Sequence, residues 1–129
     1  MNMKPTLIIA DDLEEIREKL YNVLLEDFEI LADVENGQKA VEAVRRYRPQ
    51  LVLMDVVMPV LSGIEAVRVL HAENPDAPKF VMLSGMKEEN IVLQALQAGA
   101  SEYLFKPVEP KKLKEVLWNL VRSNLRAKA

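Results

Sequence analysis

Short apolar runs alternate five times with segments of helical periodicity along this chain of 129 residues. The runs span residues 6–10, 29–34, 51–54, 80–83 and 103–105, and apolar residues recur between them at the three- and four-residue spacing of helices. Short apolar runs without strict alternation are typical of parallel strands that are buried on both faces. Because parallel strands are joined by helical crossovers, this order predicts a doubly wound (βα)5 α/β fold, with helices on both faces of one sheet.

Composition excludes several classes of protein. Half of the residues are hydrophobic, which suits a single domain over residues 1–129 with its core between about residues 5 and 126. The net charge of −3 argues against nucleic-acid binding by this domain, and the absence of cysteine excludes disulfides and thiolate metal sites. The first residues are polar and no apolar run approaches the roughly 18 residues of a membrane span. We therefore expect a cytoplasmic protein without a membrane segment.

Helix signals fill the intervals between the strands. Ser62 is a candidate N-cap of the third helix, and Gly99 follows the fourth helix at a position where glycine commonly ends helices. Pro110 stands in the first turn of the fifth helix, where proline is tolerated. The second helix is expected to turn Ala40, Ala43, Val44 and Tyr47 towards the core.

Polar residues stand at the carboxyl ends of four of the predicted strands. Asp11 and Asp12 follow the first strand, and Asp55 follows the third. Ser84 and Lys106 follow the fourth and the fifth. Because ligands of open α/β sheets bind outside the carboxyl ends of the strands, we expect these side chains in one crevice, at the switch point between the first and third strands.

Three carboxylates in one crevice need a counter-charge. Two ionised carboxylates about 5 Å apart repel by roughly 3 kcal/mol at an effective dielectric constant near 20. A cluster with only oxygen donors suits a hard ion such as Mg²⁺, which commonly completes its shell with a substrate phosphate. The hydroxyl of Ser84 and the ammonium of Lys106 are groups that stabilise a transferring phosphoryl group. The pattern indicates phosphoryl transfer with Asp55 as the nucleophile, since an aspartate can carry a covalent phosphoryl group.

In combination, these motifs resemble the receiver domain of bacterial two-component response regulators, the chemotaxis regulators included, over essentially the whole chain. The sequence Asp55-Val-Val-Met-Pro followed by Gly63 is similar to the phosphoacceptor loop of that family. The resemblance implies a flavodoxin-like sheet with strand order 2-1-3-4-5, for which a chemotaxis member of the family is a standard example. The other matching residues are Asp11 and Asp12 as the acidic pair, Ser84 as the switch hydroxyl, Tyr103 as the switch aromatic, and Lys106 and Pro107 as the lysine followed by a cis-proline.

The resemblance also implies cofactors and phosphoryl donors. A sensor histidine kinase or a histidine phosphotransfer protein would phosphorylate Asp55. Mg²⁺, for which Mn²⁺ can substitute, would be held by Asp11, Asp12, Asp55 and the backbone carbonyl of Val57. Such a domain promotes its own phosphorylation and dephosphorylation, but it is not a turnover enzyme on an external substrate.

A conformational switch is part of what the resemblance implies. Lys106 and Ser84 would hold the phosphoryl oxygens, and Tyr103 would turn into the space that Ser84 leaves. The surface of the fourth helix, the fifth strand and the fifth helix would then change. Val57 and Met86 are apolar where better-known members carry polar residues that can align a hydrolytic water. We therefore expect a phosphoryl group that persists.

The last two helices carry more apolar residues than one core stripe needs. The surplus residues are Val92, Leu93 and Leu96 in the fourth helix and Val116 and Trp118 in the fifth. Isolated apolar residues on a surface are common and need no explanation. An alternative hypothesis is a surface on these helices for a homodimer or an output partner.

Simpler or different interpretations remain for several residues. Asp11 and Asp12 alone could just stabilise the first helix, where N-terminal carboxylates are favourable by about 0.3–1 kcal/mol. Tyr103 alone could be a core aromatic, and His71 a solvated side chain. A pseudo-receiver that only binds partners would need none of this chemistry. A magnesium-dependent aspartyl phosphatase normally has a second acid where this chain has Val57.

Overall fold

The computed structural model describes residues 3–128, with side chains described as far as residue 123. Five strands and five helices alternate within this part of the chain, and the ends of the predicted strands are correct to within one residue. None of these helices is long and apolar enough to cross a membrane. The elements are β1 (Thr6–Ala10), α1 (Glu14–Leu24), β2 (Glu29–Val34), α2 (Gly37–Tyr47), β3 (Leu51–Met54), α3 (Gly63–Glu73), β4 (Lys79–Ser84), α4 (Glu89–Ala98), β5 (Glu102–Phe105) and α5 (Pro110–Lys128).

The strands form one parallel sheet in the order β2-β1-β3-β4-β5, which confirms the flavodoxin-like order. The chain turns outwards from β1 to β2 on one side and from β3 to β4 on the other, so the switch point lies between β1 and β3. Ala10 pairs with Met54 in this register, and Asp55 N donates to the carbonyl of Ala10 at 2.9 Å. The register therefore places Asp11 and Asp55 side by side.

Apolar residues on the two faces of the sheet form two clusters, as expected for a three-layer sandwich. On one face Ile8, Val52 and Met82 pack with residues of α2, α3 and α4. On the other face Leu7, Leu53 and Val81 pack with residues of α1 and α5. All four residues of β3 are fully buried, so the strand that precedes Asp55 is held on both faces of the sheet.

Polar side chains cap the starts of α2 and α3, but one residue that was expected to face the core does not. The side chains of Asn36 and Ser62 accept hydrogen bonds from the amides of Lys39 (2.8 Å) and Glu65 (3.2 Å), at the starts of α2 and α3. The expectation that Tyr47 faces the core is wrong. Tyr47 is the last residue of α2, where the chain turns away through a left-handed Arg48, and its exposed ring lies beside the guanidinium of Arg46.

Burial differs from expectation on two helices, because side chains of α3 and α5 are less exposed than the sequence suggests. His71 is only partly exposed, and its ring lies against Gly99, where an added Cβ would be 2.4 Å from the ring. Val116 is buried in the second cluster, and the half-buried Trp118 lies against Phe28 with ring centroids 5.6 Å apart. The expected surplus on α5 is therefore mostly absorbed by the core. On α4, by contrast, Leu93 and Leu96 are exposed.

Candidate functional site

Asp11, Asp12 and Asp55 meet at the carboxyl edge of the sheet. Each of them can offer a carboxylate oxygen such that these oxygens all lie within 4.8 Å of one another. Asp11 and Asp55 are buried, whereas Asp12 is exposed at the mouth. Three carboxylates with no nitrogen or sulfur donor among them fit a hard divalent cation such as Mg²⁺.

Asp11 is held by its own backbone and by the start of α1. Its amide donates to the carbonyl of Val34 at 3.0 Å, and its Oδ1 accepts from the amide of Leu13 at 3.0 Å. Leu13 is the N-cap residue of α1, and it makes no side-chain capping hydrogen bond. Asp11 and Asp12 thus precede the cap and do not fill it, which disfavours the interpretation of the pair as a simple helix stabiliser.

Lys106 joins the two buried carboxylates. Its Nζ lies 2.8 Å from Asp11 Oδ2 and 3.2 Å from Asp55 Oδ2. The residue is placed by the end of β5, where its amide donates to the carbonyl of Ser84 at 2.9 Å. Its ammonium supplies the counter-charge that the acidic cluster requires.

The surroundings of Asp55 and Lys106 raise the pKa values of both side chains. Burial raises the pKa of the Asp55 carboxyl above its ordinary value; the charge of Lys106 opposes this shift, and the charge of Asp11 adds to it. Burial disfavours the Lys106 ammonium, but its hydrogen bond to Asp11 and the charges of Asp55 and Asp11 outweigh that effect and raise its pKa. Lys106 is therefore firmly cationic, and Asp55 takes up a proton on acidification more readily than an ordinary aspartate does.

Ser84 and Tyr103 are linked through the backbone of Met86, a connection that sequence reasoning missed. The buried Oγ of Ser84 accepts from the Met86 amide at 3.2 Å. The phenol of Tyr103 donates to the Met86 carbonyl at 2.7 Å, while its ring packs against the first core cluster. Both predicted switch residues thus contact one residue of the β4–α4 loop.

The remaining predicted site residues lie around this centre. The Lys106–Pro107 peptide bond is cis, and a second cis bond, Ala77–Pro78, lies before β4. The Val57 side chain points into solvent with 56% of its surface exposed. A role for its backbone carbonyl stays a prediction.

Two neighbours of the site had no signal in the sequence. Arg17 of α1 donates from Nη1 to the backbone carbonyl of Asp11 at 2.8 Å. Val60, in the loop between β3 and α3, has a positive φ of 69°. In the sequence, Arg17 is an ordinary charged residue of an amphipathic helix. A left-handed conformation is not expected at Val60, because β-branched residues rarely adopt it.

Sequence comparison gives the same family that the motifs of the sequence resemble. The family model of the response regulator receiver domain matches residues 7–117. The chain is 34% identical to the chemotaxis protein CheY of Listeria monocytogenes over 112 residues, which are 86% of this chain and 93% of that protein. It is 39% identical over 116 residues to the transcriptional regulatory protein DegU of Brevibacillus brevis, covering 88% of this chain and 49% of DegU.

Structure comparison agrees on the fold. A CheY-like response regulator receiver domain protein from Methanospirillum hungatei superposes with a TM-score of 0.90 over 97% of this chain and 99% of that chain, at 23% sequence identity. With the matched family model and the 34% identity to CheY, we conclude that the chain belongs to the family of response regulator receiver domains, the signalling domains of two-component systems.

Proposed function

We propose that this receiver domain accepts a phosphoryl group on Asp55 from the phosphohistidine of a sensor histidine kinase or a histidine phosphotransfer protein. The observation that carries the proposal is the contact of one ammonium, Lys106, with both buried carboxylates of the acidic cluster. A cation placed between a carboxylate nucleophile and its neighbours is suited to hold the oxygens of an incoming phosphoryl group.

The transfer is a single displacement at phosphorus. An ionised oxygen of Asp55 forms a bond to phosphorus while the phosphorus–nitrogen bond of the donor histidine breaks, and the electron pair of that bond returns to the imidazole, which takes up a proton from solvent. Lys106 lies within reach of an oxygen of Asp55, so it can stay beside the transferred group. The buried strand β3 keeps the nucleophile oriented throughout.

The acidic cluster supports a divalent cation as cofactor. Mg²⁺, or Mn²⁺ in its place, supplies positive charge that offsets the repulsion between an incoming phosphate and the carboxylates. Asp11, Asp12 and Asp55 would hold the ion, and the backbone carbonyl of Val57 is proposed as a fourth ligand. The domain would use this ion in its own phosphorylation and dephosphorylation and would not turn over an external substrate.

The link through Met86 supports a Ser84–Tyr103 switch. If the Ser84 hydroxyl turns to a phosphoryl oxygen, the Met86 amide loses its acceptor. The loop that also holds the Tyr103 phenol through the Met86 carbonyl would then be free to rearrange. A charge added at Asp55 would thereby bias a side-chain pair with two arrangements.

The exposed apolar residues of α4 and β5 support an output surface. Leu93, Leu96 and Phe105 are each about half exposed. A partner or a second copy of this domain could cover them. We infer that signalling through this domain is cytoplasmic and needs neither nucleic acid nor membrane contact, since no basic surface or apolar span is indicated by its composition.

Intact mass spectrometry after incubation with acetyl phosphate and Mg²⁺ tests the proposal. The wild type should gain one phosphoryl group, and Asp55→Asn should gain none. Removal of the donor then gives the lifetime of the group, which the apolar Val57 and Met86 should make long. No gain in either protein would favour a pseudo-receiver that only binds partners, and hydrolysis of p-nitrophenyl phosphate by the wild type would favour an aspartyl phosphatase.

A further inference from the structure

Arg17 of α1 is mostly buried beside the acidic cluster, and the proposed phosphotransfer does not use it. Its side chain is 15% exposed, and its Nη1 donates to the Asp11 carbonyl at 2.8 Å. Its Nε lies 3.4 Å from Asp33 Oδ1 of β2 and is a buried atom without a hydrogen-bond partner among the described residues. A guanidinium stays charged, so burying it in imperfect contacts is costly and calls for a compensating role.

The carbonyl that Arg17 binds belongs to the peptide that joins Asp11 to Asp12. The other polar groups of Asp11 are already bound, by Val34, Leu13 and Lys106. Rotation of this one peptide would move the backbone of both aspartates. The hydrogen bond from Arg17 thus fixes the direction in which two of the three carboxylates leave the main chain.

We propose that Arg17 is a positioning residue that holds the Asp11–Asp12 peptide in the orientation for cation binding, and that Asp33 orients Arg17. The planar guanidinium suits this position, because its fixed fork can point one nitrogen at a carbonyl and another at a carboxylate. Asp33 is about half exposed, so the ion pair by itself contributes little stability and acts on the direction of the fork. This inference rests on the proposed function, because it assumes a divalent cation in the cluster.

Positioning and simple electrostatics predict opposite effects on the affinity for Mg²⁺. A fixed positive charge near a cation site disfavours the cation, so removal of the Arg17 charge alone would tighten Mg²⁺ binding. Loss of an outer contact that orients a ligand weakens metal binding, typically by about 10- to 100-fold. The sign of the change on removing the guanidinium therefore separates a positioning residue from a nearby charge.

The experiment is a Mg²⁺ titration followed by the amide chemical shifts in NMR spectra, on the wild type and on Arg17→Met, which keeps an unbranched apolar stem. We expect Arg17→Met to bind Mg²⁺ at least about tenfold more weakly. Asp33→Asn, which keeps the shape of the Asp33 side chain beside Arg17, should also weaken Mg²⁺ binding, by a smaller factor. Arg45→Met is the matched control, because Arg45 pairs with Glu73 where α2 and α3 end, at the opposite edge of the sheet. The affinity of this variant for Mg²⁺ should equal that of the wild type.

Each outcome of the titration decides something. Unchanged or tighter binding by a folded Arg17→Met protein would overturn the inference and leave the proposed function intact. A wild type that does not bind Mg²⁺ would overturn both. If Arg17→Met does not fold, as judged by its amide spectrum, then Arg17→Lys decides, because it keeps the positive charge but not the planar fork. Unchanged affinity in that variant overturns the inference.

Discussion

Gly63, the first residue of α3, lies directly against the backbone carbonyl of Asp55. A Cβ added at Gly63 would be 1.9 Å from Asp55 O, and the Gly63 amide donates to the Val56 carbonyl at 2.9 Å. A contact with backbone this short cannot be relieved by rotation of a side chain. Either α3 or the backbone of Asp55 must move when any other residue replaces this glycine.

Gly63→Ala should therefore destabilise the fold and slow phosphorylation. Forcing extra atoms into a well-packed region typically costs about 1–3 kcal/mol, and the strain here falls on the main chain of Asp55. Urea unfolding gives the stability, and the mass gain with acetyl phosphate gives the rate. Gly85→Ala is the control, because a Cβ at Gly85 meets no atom within 4 Å. Equal effects of the two substitutions would argue against the close approach.

Asp55→Asn should stabilise the protein at pH 7 by about 1 kcal/mol, since it removes a buried carboxylate while Lys106 keeps Asp11 as its partner. Burial raises the pKa of Asp55 in the folded state, so the folded protein takes up this proton more readily than the unfolded chain. The cost of the ionised carboxylate is fully present above the folded pKa and disappears as the pH falls towards the ordinary value of 3.8. Urea unfolding at pH 7 and at lower pH should show the advantage of the variant shrinking with acidification. An advantage that grows on acidification would contradict the direction of the shift.

Lys106→Met should lower stability by roughly 3 kcal/mol at pH 7, because it leaves two buried carboxylates without their ammonium. Mg²⁺ should restore more stability to this variant than it adds to the wild type, since a cation can replace the missing charge. Thermal melts with and without Mg²⁺ measure both effects. Lys114→Met removes the half-exposed pair with Asp27 and should cost less than about 1 kcal/mol, with no extra response to Mg²⁺.

Val60→Asn should stabilise the protein by about 1 kcal/mol. Val60 has a φ of 69°, and 80% of its surface is exposed. The left-handed conformation destabilises this residue, and burial of its side chain does not offset that effect. Asparagine adopts this conformation more readily. Val69→Asn, at an exposed helical position of α3, controls for the removal of a surface valine and should give no gain. A loss of stability in Val60→Asn would mean that the Val60 side chain makes a compensating contact.

The fold was predictable because its signals are strong and local. The fully buried run of β3 and the regular alternation of strands and helices leave few arrangements other than a parallel sheet, and polar residues at the strand ends then fall on one edge. Asp11, Asp12, Asp55, Ser84 and Lys106 could all be found in this way.

The missed features depend on geometry that no sequence pattern carries. The inward turn of Arg17 towards the Asp11 carbonyl depends on how α1 lies over β1 and β2, and its spacing in α1 is that of a surface residue. Tyr47 was expected in the core because it continues the apolar spacing of α2, but the helix ends at this residue and its ring is exposed. The bonds of Met86 to Ser84 and Tyr103 involve its backbone, which its side chain does not indicate.

Mapping of the phosphorylated residue tests the central claim most directly. The protein would be phosphorylated with acetyl phosphate and Mg²⁺, reduced with borohydride, which converts an acyl phosphate of aspartate to homoserine, and digested for tandem mass spectrometry. We predict homoserine at position 55 alone, dependent on Mg²⁺. Unmodified Asp55 in protein that has gained a phosphoryl group, or conversion at Asp11 or Asp12, would contradict the assignment of Asp55 as the phosphoacceptor.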